Sequence, residues 1–206
     1  MSMEIDPANN DLTLASYEAK VQAYIEGTPP VDEELTSWTD QALSNIPKDG
    51  KILELGSGFG RDAEYIQQKG YRIECTDAVE SFVTLLQEKG FGARMLNALK
   101  DDMGSGYDMV FADAVLLHFT PEETTLVLDK IHTALKDDGI FALRMKKGNG
   151  PAWTEEKLGA PRYFYYWQPE ELKKLMTSHG FEWLSLSENY TGHNKASWMV
   201  IIAKKA

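Results

Sequence analysis

The 206-residue chain is 43% apolar and carries a net charge of −11. This composition is sufficient for a buried core without disulfides or metal, and the negative charge opposes binding to nucleic acid. No run of eighteen apolar residues is present, and the acidic N-terminal stretch lacks a signal-peptide pattern. We therefore expect a single cytoplasmic domain over residues 1–206 that binds neither nucleic acid nor membrane.

Two helices are predicted ahead of the first strand. Apolar side chains recur at helical spacing over residues 12–26 and again over 31–45. After these segments the period changes to that of strands, so we expect residues 1–45 to form an N-terminal helical cap.

Five strands separated by helices are predicted next. The strands are KILEL (51–55), YRIECT (71–76), FGARML (91–96), YDMVFA (107–112) and GIFALRM (139–145). Gly70 and Gly90 suit the left-handed C-terminal caps of two of the helices, and Thr120 begins another with a capping box. This alternation predicts a doubly wound, Rossmann-like α/β fold with a mostly parallel sheet.

The C-terminal part of the chain breaks the alternation. A predicted helix (168–180) is followed by two strands, 181–188 and 196–205, whose short connection leaves no room for a helix. Parallel strands need a crossover of about a dozen residues or more, so these two strands are antiparallel partners. The prediction is a seven-stranded sheet ending in an antiparallel hairpin, within a core at 46–206 that carries a lid at about 148–168.

A glycine-rich loop, GSGFG, follows the first predicted strand and contains Gly56, Gly58 and Gly60. Ligands of doubly wound sheets bind where a strand passes to its helix, and glycine there admits positive φ and a close ligand. The dinucleotide fingerprint Gly-x-Gly-x-x-Gly is not met, because Arg61 occupies the place of its third glycine. No Gly-Lys-Ser/Thr follows, which excludes the phosphate loop of nucleotide hydrolases.

Asp77 ends the second predicted strand, twenty-one residues after Gly56. A carboxylate at this place accepts hydrogen bonds from ribose hydroxyls in nucleotide-binding sheets. The loop and Asp77 together predict a nucleoside ligand without a pyrophosphate. A dehydrogenase is a weaker alternative, which the early third glycine opposes.

Five motifs in order resemble those of class I S-adenosylmethionine-dependent methyltransferases. They are ELGSGFGRD (54–62), Asp77, LNALKDD (96–102), YDMVFADAVLLHF (107–119) and IHTALKDDGIF (131–141). Within that family the chain looks most like small bacterial enzymes of the tellurite-resistance or generic methyltransferase-domain type, which often carry GRDA and a late Arg-Tyr-Phe. The resemblance implies an antiparallel seventh strand between the fifth and sixth, with S-adenosylmethionine as the cofactor.

The resemblance also implies where the methionyl end of the cofactor binds. Gly56, Gly58 and Gly60 would carry the methionyl part, with Glu54 near its ammonium. Arg61 would bond its carboxylate, although a solvated position at the start of the helix is an open alternative for this side chain.

The adenosine end is implied in the same way. Asp77 would hold the ribose, Ala78 would line the adenine, and Asp113 would face the methyl donor. Asn97 and Ala98 depart from the acidic-then-small pair usual in the family, so the adenine amino group would meet an amide side chain or backbone instead.

The acceptor side is less specified by the sequence. His118 follows the fourth strand and either orients or deprotonates a substrate, or is a packed, hydrogen-bonded histidine. Arg162, Tyr163 and Tyr165 lie in the aromatic run RYFYYW and either form a lid over the methyl donor or pack in the core. Tyr17 and Tyr24 on the first helix are expected to complete a cap over the site.

We therefore expect a methyltransferase that moves a methyl group from S-adenosylmethionine to a small-molecule acceptor. A noncatalytic S-adenosylmethionine-binding or sensor protein on the same fold is the alternative. No cluster with metal-ligand spacing is evident, so no metal is expected. The acceptor atom, the general base, the oligomeric state and the pathway stay open, with His118 the best catalytic candidate.

Overall fold

A computed structural model describes residues 8–191 and 196–206. The helices are α1 (Ala8–Ala19), α2 (Val21–Glu26), α3 (Glu33–Leu43), α4 (Arg61–Gln68), α5 (Glu80–Glu88), α6 (Pro121–Ala134) and α7 (Pro169–Ser178). The strands are β1 (Lys51–Leu55), β2 (Arg72–Asp77), β3 (Ala93–Met95), β4 (Tyr107–Asp113), β5 (Leu135–Lys146), β6 (Gly150–Thr154), β7 (Arg162–Tyr166), β8 (Phe181–Thr191) and β9 (Ala196–Lys205). A single 3₁₀ turn, Leu116–His118, follows β4.

The main sheet has the strand order β3-β2-β1-β4-β5-β9-β8. Strands β1 to β5 pair in parallel, whereas β9 pairs antiparallel with both β5 and β8. The predicted doubly wound fold with a terminal hairpin is confirmed. The last strand, β9, lies between β5 and β8, as the resemblance implies. Residues 192–195 of the predicted connecting loop lie outside the described residues.

Both faces of the sheet are buried because its strands are apolar at successive positions. In β4, Met109 and Phe111 pack into the core beneath α3 and α4, while Val110 and Ala112 pack into the core beneath α6. Each of these side chains is at most 1% exposed. Burying a large apolar side chain contributes about 1.5–3 kcal/mol, so this continuous apolar run fixes β4 at the centre of the domain.

The helix ends follow the chemistry of their cap residues. Thr120 accepts a hydrogen bond from the Glu123 amide, and Glu123 accepts one from the Thr120 amide, so the predicted capping box starts α6. Gly70 and Gly90 follow α4 and α5 with φ of +84° and +87°, the left-handed conformation expected of them.

The N-terminal cap consists of three helices, because a break at Lys20 divides the predicted 12–26 helix into α1 and α2. Asp32 caps α3 by accepting a hydrogen bond from the Leu35 amide. Trp38 of α3 packs on Phe111 of the sheet with ring centroids 4.8 Å apart. Helix α3 is thus part of the core, while α1 and α2 lie at the ligand-binding edge described below.

The predicted lid segment folds as an antiparallel pair, β6 with β7, which the sequence analysis did not anticipate. Its aromatic run, Tyr163 to Trp167, is continuous, so it shows no alternation that would have predicted a strand with one face towards the site. In the described part of the chain, no helix is both long and apolar enough to cross a membrane.

Candidate active site

The glycine loop between β1 and α4 adopts a conformation that side chains disfavour. Gly56, Gly58 and Gly60 have φ of +64°, +55° and +88°. A Cβ on Gly60 would lie 2.8 Å from Leu86 Cδ2, and one on Gly56 would lie 2.6 Å from Val115 Cγ2. Two of the glycines are therefore required by packing within the protein, while Gly58 presents its open side to the clefts.

Asp77, at the end of β2, holds this loop in place. Its Oδ2 accepts a hydrogen bond of 2.8 Å from the Gly58 amide, and its Oδ1 accepts one of 2.9 Å from the Val79 amide. Burial raises the pKa of Asp77 to about 6, against the opposing effect of these amides. The carboxylate lines a cleft beside the loop and has lone pairs left for a ligand.

We call this space the first cleft. Apolar side chains from the segments after β2, β3 and β4 form part of its wall: Ala78, Val79, Phe82, Leu96, Ala98, Val115 and Phe119. Asn97 is also in the wall, where its Nδ2 donates to Asn10 Oδ1 and its Oδ1 accepts from the Leu99 amide. The predicted residues Ala78, Asn97 and Ala98 are thus brought together with Asp77 in one cavity that has both apolar and polar walls.

Glu54, in β1, is buried beside the loop. Its Oε2 has no hydrogen-bond partner among the described residues, and the side chain is 2% exposed. Burial, reinforced by the negative charge of Asp62, raises the pKa of Glu54 to about 8. A buried carboxyl oxygen without a donor is costly unless a donor or a cation reaches it, so Oε2 of Glu54 is suited to a cationic ligand group.

Asp113, at the end of β4, joins two arginines. Arg61 Nη2 lies 2.6 Å from Asp113 Oδ2, and Arg144 Nη1 lies 3.1 Å from Asp113 Oδ1. Burial alone would raise the pKa of Asp113, but Arg144 and Arg61 outweigh it and hold the pKa below its ordinary value. Arg61 also pairs with Asp62 at 2.9 Å. Its donors are thus engaged by two carboxylates, and its predicted bond to the cofactor stays a prediction.

His118 ends the 3₁₀ turn after β4 and is enclosed by polar partners. Its Nδ1 lies 2.6 Å from the Tyr163 carbonyl oxygen, and its Nε2 lies 2.9 Å from Tyr17 Oη. A carbonyl only accepts, so Nδ1 carries the proton and Nε2 accepts from the Tyr17 hydroxyl. Arg162 Nη1 in turn donates to Tyr17 Oη over 3.2 Å. Burial lowers the pKa of His118 to about 3, so the ring is neutral at physiological pH.

A second cleft of about 420 Å³ adjoins the first. The two share Tyr17, Tyr24, Gly56, Gly58, Asp113, Ala114 and His118 as a common wall. Beyond that wall the lining of the second cleft includes cationic and aromatic side chains, Arg144, Lys146, Lys157, Arg162, Phe164 and Trp198, and also the carboxylates of Asp32, Asp62 and Glu156. Its size lies within the range of small-molecule sites.

The structure places the predicted acceptor-side residues unequally. His118 and Arg162 line the second cleft, but Tyr163 and Tyr165 line neither cleft. Alternate residues of β7 point to opposite faces, so Arg162 and Phe164 face the cleft while Tyr163 packs against Trp153 and Tyr165 against Trp167. The packing of Tyr163 and Tyr165 matches the core alternative for the aromatic run, and the Tyr163 carbonyl contacts His118, while a lid role for Arg162 stays a prediction.

The sequence analysis missed the cations of β5 and of the β6–β7 connection. Arg144 and Lys146 alternate in the strand GIFALRMK, where a charged residue at every second position after an apolar run indicates one exposed or ligand-facing edge. This pattern could have predicted both cations from the sequence. Lys157 and Trp198 had no such signal, because only the tertiary fold brings them to the cleft.

The profile of a protein family described as "Methyltransferase domain" matches residues 28–186, which is most of the chain. The chain belongs to this family. Its assignment to the class I S-adenosylmethionine-dependent methyltransferases, made from the sequence motifs, is thereby confirmed, whereas the tellurite-resistance subtype stays a prediction.

Curated relatives of this methyltransferase-family chain are distant. It is 25% identical over 130 residues to a Bacillus subtilis (strain 168) protein whose name is "Putative methyltransferase YqeM". The match covers 56% of this chain and 53% of YqeM. The chain spans about half the length of the curated relatives it matches.

Solved structures share the fold of this family member. One is an S-adenosylmethionine-dependent methyltransferase from Methanosarcina mazei, with 19% identity, a TM-score of 0.70, and coverage of 86% of this chain and 99% of that one. Another is the Burkholderia thailandensis 1,6-didemethyltoxoflavin-N1-methyltransferase with bound 1,6-didemethyltoxoflavin and S-adenosylhomocysteine, with 19% identity, a TM-score of 0.71, and coverage of 100% and 93%. At these identities the likeness shows the fold alone.

Proposed function

We propose that the protein transfers a methyl group from S-adenosylmethionine to a small-molecule acceptor. The observation that carries this proposal is the junction of the two clefts at Tyr17, Asp113 and His118. The cleft that carries Asp77 thereby opens directly into a second cleft of the size of a small-molecule site. Alignment of two bound reactants at such a junction contributes about 7–11 kcal/mol to catalysis.

The residues of the first cleft fit S-adenosylmethionine. Asp77 has carboxylate lone pairs for ribose hydroxyls, and apolar side chains such as Ala78 and Leu96 would hold the adenine. Glu54 lines neither cleft, but its unpartnered Oε2, buried beside the loop, would suit the ammonium of the methionyl part. The cofactor, when bound, supplies a methyl group already activated by its sulfonium.

The clefts' common wall carries the groups that would position the acceptor. Tyr17 is held by His118 on one side and Arg162 on the other, and its phenol is T-shaped against Tyr24 at 5.3 Å. Burial raises the pKa of Tyr17, although Arg162 opposes the shift, so the phenol stays protonated. It therefore serves as a fixed hydrogen-bonding group and an apolar wall.

His118 is proposed as a positioning residue for Tyr17. A base with a pKa of about 3 has little capacity to take up a proton at neutral pH. Its Nε2 lone pair is already occupied by the Tyr17 hydroxyl. We infer that the acceptor atom reacts without proton transfer to His118, which favours an acceptor that is ionised or weakly basic before it binds.

The alternative of a noncatalytic S-adenosylmethionine sensor is disfavoured. A sensor needs only the first cleft, and a sealed cavity would suit it. The second cleft, with its charged wall of Arg144, Lys146 and Arg162, argues for a further small molecule beside the cofactor.

Thermal unfolding with added ligands tests the proposal. S-adenosylhomocysteine is expected to raise the melting temperature by linkage of binding to folding, and NAD is expected to leave it unchanged. Release of S-adenosylhomocysteine from S-adenosylmethionine in the presence of candidate acceptors then measures the transfer itself. Stabilisation by NAD without stabilisation by S-adenosylhomocysteine would refute the proposed function.

A further inference from the structure

The second cleft contains three cationic side chains that form no ion pair with a described residue. Lys146, Lys157 and Arg162 line it, and within the described residues none of them has a carboxylate oxygen within 4 Å. The other two cations of the cleft, Arg61 and Arg144, are both paired with Asp113. The carboxylates of Asp32, Asp62, Asp113 and Glu156 also line the cleft, but none of them lies within 4 Å of a nitrogen of these three cations.

Arg162 is the most enclosed of these cations, with 5% of the residue exposed. Its guanidinium carbon lies 5.6 Å from the Tyr17 ring centroid and 5.1 Å from that of Phe164, so two aromatic rings hold it. Nη1 donates to Tyr17, but Nε has no hydrogen-bond partner among the described residues. A buried guanidinium with an unused donor is costly until an acceptor reaches it.

Lys146 lies beside the same aromatic ring. Its Nζ is 4.6 Å from the Phe164 centroid and 5.5 Å from that of Trp198. Burial and the charge of Arg162 lower the pKa of Lys146, which indicates that the two cations oppose each other in a poorly solvated space. Trp198 Nε1 is a further buried donor without a partner in the described part of the chain.

We propose that the acceptor is a carboxylate-bearing small molecule whose carboxylate binds between Arg162 and Lys146. This inference rests on the proposed function, because it identifies the second cleft as the acceptor site. A carboxylate is planar and singly charged, so it matches a guanidinium edge with one oxygen and an ammonium with the other. The aromatic rings of Phe164 and Trp198 would enclose the remainder of the molecule.

The carboxylate of the cofactor is the competing anion, and the cations beside the glycine loop are Arg61, which follows Gly60, and Lys157. Its Nζ lies 4.1 Å from the Tyr24 centroid, and Tyr24 packs against Phe59 of the glycine loop. Arg162 and Lys146 instead surround Phe164 on β7. Substitutions of Arg162 and Lys146 are therefore expected to weaken acceptor binding and to leave cofactor binding unchanged.

The test uses the full chain saturated with S-adenosylhomocysteine. Benzoate, phenylacetate, 4-hydroxybenzoate and anthranilate are each compared with the corresponding primary amide as ligands in thermal unfolding and calorimetric titration. At least one carboxylate is expected to raise the melting temperature and bind about thirtyfold or more tightly than its amide, as loss of a charge-assisted pair predicts.

Variants locate the site of binding. Arg162→Gln and Lys146→Gln are expected to abolish the preference for carboxylate over amide, and Arg162→Lys to restore it in part. Lys147→Gln is the matched control, since the neighbouring lysine pairs with Glu188 outside both clefts. Affinity for S-adenosylhomocysteine is expected to stay within about threefold in all four variants, a change of roughly 0.7 kcal/mol.

Three results would overturn the inference. One is that no carboxylate of the panel binds better than its amide. The second is that Lys147→Gln removes the preference as fully as Lys146→Gln does. The third is that Arg162→Gln and Lys146→Gln lose S-adenosylhomocysteine affinity, which would assign these cations to the cofactor carboxylate. Failure of S-adenosylhomocysteine to bind the unaltered protein would instead refute the proposed function, so the two failures are distinct.

Discussion

Tyr17 on α1 donates its hydroxyl hydrogen to Nε2 of His118, 2.9 Å away and 101 residues later in the chain. The N-terminal cap and the end of β4 are thereby joined at the wall that the two clefts share. The same phenol accepts a hydrogen bond from Arg162 of β7. Tyr17 therefore links α1 to His118, after β4, and to Arg162 of β7.

The first prediction concerns the role of His118. Because the neutral ring orients Tyr17 instead of accepting a proton, His118→Gln is expected to lower kcat about tenfold or less, whereas loss of a general base typically costs 10²–10⁴-fold. Tyr17→Phe is expected to have a similar or larger effect. The shape of the kcat profile between about pH 6 and 9 is expected to be unchanged in both variants, since a group with a pKa of about 3 does not titrate there.

Steady-state kinetics with an acceptor found by screening provides the measurement. Tyr65→Phe is a matched control, because the Tyr65 hydroxyl bonds Asp40 and the residue lines neither cleft. A loss of more than a hundredfold in His118→Gln that grows as the acceptor becomes more protonated would assign a general-base role to His118 after all.

The second prediction concerns Asp77, which accepts two backbone hydrogen bonds and is also proposed to bind the ribose of the cofactor. Asp77→Ala leaves the Gly58 and Val79 amides without their acceptor, which costs about 1–3 kcal/mol of stability for an unsatisfied buried donor. Loss of the ribose contacts is expected to weaken S-adenosylhomocysteine binding about tenfold to a hundredfold. Calorimetric titration and chemical denaturation measure the two effects separately.

Asp108→Ala supplies the control for Asp77. Asp108 also accepts a backbone hydrogen bond, from the Lys51 amide, and pairs with Lys136, but it lines neither cleft. It is expected to lower stability without changing cofactor affinity. Equal losses of affinity in the two variants would mean that Asp77 acts through stability alone.

The sheet could be predicted well from the sequence because its signals are local. Alternating strands and helices, capping residues such as Thr120, and terminal glycines such as Gly70 each act within a few residues. The antiparallel β9 was also predictable, since a connection too short for a helix leaves no other geometry. The proposed cofactor residues come from motifs near the carboxyl ends of these strands, and their roles, implied by the resemblance to the family, stay predictions.

The acceptor side was less predictable because its residues converge from distant segments. Arg144 and Lys146 lie at the end of β5, Arg162 is the first residue of β7, and Trp198 lies in β9. Which face of β7 meets the cleft depends on its pairing with β6, which no local pattern determined. Tyr163 and Tyr165 were therefore expected at the cleft when the alternation of the strand directs them away from it.

The third prediction contrasts two glycines of the loop. Gly60→Ala places a Cβ 2.8 Å from Leu86 Cδ2 and 3.2 Å from Phe91 Cε2, at φ of +88°. It is expected to lower stability by about 1–3 kcal/mol through overpacking, in addition to backbone strain. Gly58→Ala meets only Tyr24, at 3.5 Å, and is expected to cost about 1–2 kcal/mol from positive φ alone.

The two glycine variants are expected to differ more in ligand binding than in stability. Gly58 lines both clefts, so its added methyl group is expected to lower S-adenosylhomocysteine affinity at least tenfold in a protein that still folds. Circular dichroism melting and calorimetric titration give the comparison. Full cofactor affinity in folded Gly58→Ala would show that nothing approaches the loop at this residue.

The fourth prediction concerns Glu54 and pH. The pKa of its carboxyl is raised from 4.5 to about 8 in the folded protein, chiefly by burial. Between these values the folded state keeps a proton that the unfolded state has lost, so the contribution of Glu54 to stability falls as pH rises from about 4.5 to 8. The slope for one group is about 1.4 kcal/mol per pH unit. Glu54→Gln, which stays uncharged, is expected to remove this slope and to be more stable than the unaltered protein at pH 8.

Cofactor binding is expected to deprotonate the Glu54 carboxyl. If the ammonium of the methionyl part lies beside Glu54 Oε2, it favours the carboxylate, and binding at pH 7 releases about one proton per protein. Calorimetric titration of S-adenosylhomocysteine in buffers of different ionisation enthalpy counts that proton. Glu54→Gln is expected to release none and to bind more weakly, whereas Glu64→Gln, an exposed carboxyl on α4 outside both clefts, is expected to behave as the unaltered protein does. Identical proton release from the Glu54 variant and the unaltered protein would place the ammonium elsewhere in the site.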